Sequence, residues 1–126
     1  MQVSQIMKKA YVIDSSLSMK EAAKIMSHKK IGGLLVIKNN KIAGIITERD
    51  IISNMSKSNS PVSSIMTKRV ISVSSDTEID EVAKLMCENK IKRVPVIENG
   101  KLLGLVRITD ILSKTNSVEE GEFFFS

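Results

Sequence analysis

Thr47 and Asp50 are the side chains whose types and spacing best suit them to hold a ligand. They close the stretch Gly44-Ile45-Ile46-Thr47-Glu48-Arg49-Asp50, an apolar strand that stops at a threonine with a helix starting behind an aspartate. The first N–H groups of a helix have no intrahelical partner and the dipole is positive there, so a strand running into a helix start suits an anion or a sugar. A threonine hydroxyl donates to a phosphate oxygen, while an ionised aspartate only accepts, which matches the two hydroxyls of a ribose. The pair reads as a nucleotide grip, although Thr and Asp are also ordinary helix caps.

The elements that must position this pair occur twice. At a shift of 60 residues, Met19 to Ile52 aligns with Ile79 to Leu112 without a gap, and roughly 13 of these 34 positions are identical, among them Gly44/Gly104 and Asp50/Asp110. Upstream the register moves by one, so that Ser4-Gln5-Ile6-Met7 matches Ser63-Ser64-Ile65-Met66. Each copy reads as a lead-in, a strand, a helix, two strands and a short helix. The first strands are Tyr11-Val12-Ile13 and Val70-Ile71-Ser72-Val73. The long helices are opened by Ser18 with Glu21, a capping box, and by Thr77 with Asp80, a looser one. Their apolar faces are Met19, Ala22, Ala23, Ile25, Met26 and Ile79, Val82, Ala83, Leu85, Met86, at helical spacing. Asn39-Asn40 and Asn99-Gly100 then separate pairs of apolar runs, the signal of a tight hairpin. Last come short helices from Arg49 to about Met55 and from Thr109 to about Lys114, which need tertiary packing to persist.

These boundaries divide the chain into a first motif (1–55), a polar linker (56–61), a second motif (62–114) and an acidic, Phe-rich tail (115–126). One copy alone buries little apolar surface, so an α+β architecture is expected in which two pseudo-symmetric β-α-β-β-α motifs pack sheet to sheet and leave a cleft between them. The tail lacks a period and reads as disordered; Phe123-Phe124-Phe125 is its one candidate docking element.

Composition removes several classes of chemistry. The sequence has one cysteine, Cys87, and one histidine, His28, so neither an internal disulfide nor a conventional zinc site is expected, and no metal site. Cys87 is read as a small helix-packing residue and His28 as a surface residue near a helix end. No apolar run reaches the length needed to cross a bilayer, and the opening residues do not resemble a signal peptide; a cytoplasmic protein without membrane contact is expected. The formal charge is +5, and without Glu119, Glu120 and Glu122 of the tail it is about +8, which favours an anionic partner. Lys8, Lys9, Lys29, Lys30, Lys68 and Arg69 read mainly as a solvated basic rim.

The duplicated strand ends Gly44–Asp50 and Gly104-Leu105-Val106-Arg107-Ile108-Thr109-Asp110, with Lys92-Arg93-Val94-Pro95-Val96-Ile97, resemble a tandem pair of cystathionine-β-synthase-type (CBS) motifs, the Bateman module, over about Val3 to Lys114. The resemblance implies a non-catalytic module that binds AMP, ADP, ATP or S-adenosylmethionine, commonly as a homodimer. It requires no cofactor, with magnesium as an optional companion of the phosphates. It also implies a primary site of Thr47, Arg49, Asp50, Ser72, Lys92 and Arg93, in which the aspartate takes the ribose and the basic pair the phosphate. The sister site would use Ile13, Gly32, Gly33, Arg107, Thr109 and Asp110. There Arg107 replaces the family's Ser/Thr and is open to three roles: contacting phosphate, filling the pocket, or pairing with Asp110.

A regulatory module needs a target, which is expected to be another protein. The competing readings are a nucleic-acid binder, suggested by the basic charge but lacking an aromatic platform, and a protein-interaction scaffold with a vestigial cleft. An enzyme is disfavoured, since neither a phosphate-cradling G-x-x-x-x-G-K-[ST] loop nor a nucleophile elbow occurs.

Overall fold

The hairpins form where the Asn-Asn and Asn-Gly pairs stand. Asn39 and Asn40 have φ of 53° and 63°, Asn99 and Gly100 of 51° and 76°, the left-handed values that a two-residue turn needs to follow the twist of its strands. In the computed structural model, which describes residues 1–114, these turns join β2 (Gly33–Lys38) to β3 (Lys41–Thr47) and β4 (Arg93–Glu98) to β5 (Lys101–Arg107). Both hairpins are antiparallel and carry a register irregularity at the same place, between Val36 and Ile37 and between Val96 and Ile97. The remaining elements are β1 (Val12–Asp14), α1 (Met19–Lys29), α2 (Glu48–Ser53), α3 (Ile79–Asn89) and α4 (Ile108–Lys114).

The chain divides into two compact units, one of Tyr11–Val70, the other of Met1–Ala10 with the chain from Ile71 onward. Their membership crosses the repeats, because each lead-in lies in the unit of the other copy. In the Tyr11–Val70 unit, Thr67 exchanges two backbone hydrogen bonds of 2.9 Å with Ile45. In the other, Lys8 exchanges two of 2.8 Å with Leu105. A glycine makes room beside each. A Cβ on Gly44 would lie 2.8 Å from the Thr67 carbonyl oxygen and 2.6 Å from the Met66 sulfur, and one on Gly104 would lie 2.8 Å from the Lys8 carbonyl oxygen. The segment read as a linker is also engaged: the Ser58 and Ser60 carbonyls accept from the N–H groups of Lys20 and Met19, at the start of α1.

Each unit has its own aliphatic core. Met19, Ala22 and Met26 of α1 pack on Leu34, Val36 and Ile46, with Val62 and Ile65 from the second lead-in. Val82 and Met86 of α3 pack on Val94, Val96 and Val106, with Val3 and Ile6 from the first. Full burial of each Val, Leu, Ile or Met side chain among these is worth about 1.5–3 kcal/mol, which is how short helices and strands persist.

Three local expectations need correction. The first strand of the second copy, expected over 70–73, is reduced to a single parallel bridge between Val73 and Val96. In the first copy Leu35 N–H donates to the Tyr11 carbonyl at 3.0 Å; the corresponding residue is Pro95, which has no N–H to give. The Ser18/Glu21 capping box forms, but α3 starts behind Glu78, with no side-chain cap from Thr77. Thr77 Oγ1 is 3.1 Å from Ser74 Oγ instead. Cys87 is exposed rather than packed. His28 is exposed in the last turn of α1, as read from the sequence. The tail expectations fall outside the described residues. Among the described residues no helix is long and apolar enough to cross a membrane.

Candidate functional site

β3 delivers Thr47 to the start of α2, and Asp50 lies one turn in. Thr47 N–H donates to Asp50 Oδ2 at 2.9 Å and the Thr47 hydroxyl to the same oxygen at 3.2 Å. Asp50 is therefore a half-buried carboxylate that satisfies an otherwise orphaned amide of the first helical turn. Its second oxygen, Oδ1, accepts from the Thr67 hydroxyl at 3.2 Å. Thr67 belongs to the lead-in held by Gly44 and was not anticipated as a site residue; seventeen residues separate it from Asp50, and only the crossing of the lead-in brings them together. The three donors are neutral and their hydroxyls rotate, so they can yield part of the carboxylate to a diol.

β5 delivers Arg107 to the start of α4 in the same way. Arg107 N–H donates to Asp110 Oδ2 at 2.9 Å, the counterpart of the Thr47 bond. The remaining acceptor positions are filled differently. Arg107 Nε donates to Oδ2 at 3.2 Å and Nη2 to Oδ1 at 2.9 Å, a forked pairing of guanidinium with carboxylate. Asp110 is 7% exposed, whereas the Arg107 side chain is 49% exposed. The hydrogen bonds from Arg107 to Asp110 raise the guanidinium pKa, with burial opposing and the charge of Asp110 adding to the rise. Of the three roles open to Arg107, pairing with Asp110 is the one that the structure shows.

The other expected residues divide between the units. Gly33 is registered opposite Thr47, and the Gly32 carbonyl accepts from Glu48 N–H at 3.1 Å, so both glycines lie beside the Thr47–Asp50 turn. The Ile13 side chain is buried in the core of the same unit. Arg49 is exposed. In the other unit Arg93 is registered opposite Arg107, and the Lys92 carbonyl accepts from Ile108 N–H at 2.8 Å, which puts the basic pair beside the Arg107–Asp110 turn. Ser72 and Thr109 are exposed. So too are Lys8, Lys9, Lys29, Lys30, Lys68 and Arg69, and Lys29 Nζ stands 5.5 Å from the Tyr11 ring centre.

The duplicated order of helix, hairpin and short helix, the paired turns and the paired strand-end aspartates agree with comparison to known proteins. Residues 3–57 and 62–116 each match the CBS domain. The chain belongs to the CBS-domain family. An uncharacterized 17.7 kDa protein of Acidianus ambivalens is 40% identical over 96% of the chain, which spans 77% of that protein. The inosine-5′-monophosphate dehydrogenase of Thermoplasma acidophilum is 32% identical over 86% of the chain, but the match takes in 22% of the enzyme. Among solved structures, the CBS domain pair of protein MJ0100, in complex with 5′-methylthioadenosine and S-adenosyl-L-methionine, is 30% identical with a TM-score of 0.85, covering 92% of this chain and all of that one. The α+β fold of this chain is thus that of a CBS-domain pair.

Proposed function

We propose that this chain is a cytoplasmic, non-catalytic CBS module that binds an adenosine-containing ligand, AMP, ADP, ATP or S-adenosylmethionine, and signals its presence to a separate target protein. Thr47, Arg49, Asp50, Ser72, Lys92 and Arg93 form the primary binding set; Ile13, Gly32, Gly33, Arg107, Thr109 and Asp110 form a secondary one. The observation that carries the proposal is Asp50, a half-buried carboxylate addressed by neutral, partly rotatable donors at a strand end. An acceptor held in this way exchanges a hydroxyl partner for a ribose diol without uncovering a charge. The adenosine compounds bound by the MJ0100 pair support the choice of ligand class.

Lys92 and Arg93 bring positive charge suited to phosphate, with magnesium an optional companion of a polyphosphate. The module works as a homodimer: Ile52 and Met55, 68% and 71% exposed on α2 and the turn after it, are apolar residues that a second copy would cover. A ligand that favours one arrangement of the dimer shifts its population, and that shift is the signal.

Calorimetric titration of ligand-stripped protein with AMP, ADP, ATP and S-adenosylmethionine tests the proposal. At least one should bind at the primary set, and Asp50→Ala, checked for folding by circular dichroism, should weaken it by about 2–4 kcal/mol. Binding unchanged in the variant, or no binding of any of the four, would overturn it.

A further inference from the structure

Arg107 and Asp110 are placed where Thr47 and Asp50 stand in the other unit, and the shared N–H bond of 2.9 Å shows that the backbone and the carboxylate are set alike. What differs is the remaining donors. At Asp50 they are hydroxyls; at Asp110 they are the Nε and Nη2 of a guanidinium that reaches both oxygens. Asp110 is also the more buried, at 7% exposure. A neutral diol that displaced the fork would replace charge-assisted bonds by weaker ones and leave a buried carboxylate without its countercharge. A ligand that carries a phosphate can instead receive the released guanidinium in the same forked geometry.

We infer that Arg107 is a latch on Asp110 and sets ligand specificity there: the Arg107–Asp110 half admits only a ligand that brings its own anionic group, whereas the Thr47–Asp50 half accepts an uncharged nucleoside. The inference rests on the adenosine reading proposed above and adds the residue that makes the two halves unequal. The chain supplies the model for the unlatched state, because a threonine at 107 would reproduce the bonds seen at Thr47.

The test counts adenosine bound per chain by calorimetry in the parent, in Arg107→Thr and in Thr47→Arg, with AMP as the phosphorylated probe. The latch predicts about one adenosine per chain in the parent, two in Arg107→Thr and none in Thr47→Arg. At the Asp110 half of the parent, AMP should be preferred over adenosine by about ten- to a hundredfold. The ligand-free readout is the Arg107 Nε–H resonance in nitrogen-edited NMR, which should be protected from exchange in the parent and lose that protection in Asp110→Asn. An unprotected Nε–H in the parent overturns the latch itself. A protected Nε–H with unchanged adenosine stoichiometry in both Arg107→Thr and Thr47→Arg overturns its role in specificity. A protected Nε–H in a chain that binds neither adenosine nor AMP in any form overturns the adenosine reading, and the specificity role with it, while the ion pair stands as a structural one. Thr47→Arg keeps the test decisive if Arg107→Thr fails to fold.

Discussion

The β3–α2 and β5–α4 turns are built from one plan and finished with different chemistry. Both end a strand on a residue whose N–H is held by an aspartate three residues on, and both lie on a hairpin whose glycine lets a lead-in cross close by. One carboxylate is left to hydroxyls, from Thr47 and from Thr67 of the lead-in; the other is claimed by Arg107. Duplication preserved the scaffold, and the donors around the carboxylate differ: two threonine hydroxyls at Asp50, one guanidinium at Asp110.

The largest effect expected tests what the two turns share. Gly44→Val and Gly104→Val each drive a Cβ to within 2.8 Å of a lead-in carbonyl oxygen, which a backbone cannot yield cheaply. Each should cost about 3 kcal/mol in chemical denaturation. A loss in one unit alone would show that the lead-ins are not equivalent.

The next effect sharpens a difference between the sheets. Leu35→Pro removes the N–H that holds Tyr11 and should cost about 2 kcal/mol, leaving the first strand as poorly paired as residues 70–73. Pro95→Leu restores the missing donor and should slow amide exchange around Val73 rather than change global stability much. Smaller again is the contrast between caps. Ser18→Ala should cost about 1 kcal/mol because Ser18 accepts from Glu21 N–H at 3.1 Å, whereas Thr77→Ala, outside the α3 cap, should cost little of this kind.

The smallest is a pH effect confined to the Tyr11–Val70 unit. Hydrogen bonds from Ser16 to Asp14 and from Ser18 to Glu21 lower both carboxyl pKa values below the usual range. The folded unit thus holds these groups ionised more readily than the unfolded chain. The stability that they contribute is present above the unfolded pKa values, close to 4, and is lost as pH falls through the lowered folded values. Acid titration of Ser18→Ala should show a shallower loss on the acid side than the parent.

Much of the fold was legible in the sequence because the duplication repeats most local signals. The Asn-Asn and Asn-Gly pairs specified the turns, the apolar spacing of α1 and α3 specified their buried faces, and the aspartates at shift 60 specified the paired strand ends. Three features needed coordinates. The lead-ins match each other in sequence but each packs in the other copy's unit, which no local pattern encodes. Thr67 reaches Asp50 through that crossing. Arg107 had three chemically sound roles, and only the geometry of its fork chose among them. Pro95 was the opposite case, since the loss of a sheet donor was readable from its type and weakened the strand that the apolar run alone suggested.

The two aspartates should be unequal toward an uncharged nucleoside. The most direct measurement is adenosine binding to Asp50→Ala and Asp110→Ala side by side, each verified as folded. Asp50→Ala should abolish binding at adenosine concentrations that saturate the parent, while Asp110→Ala should leave the parent's one-per-chain binding intact. Loss of adenosine binding in Asp110→Ala with retention in Asp50→Ala would contradict it.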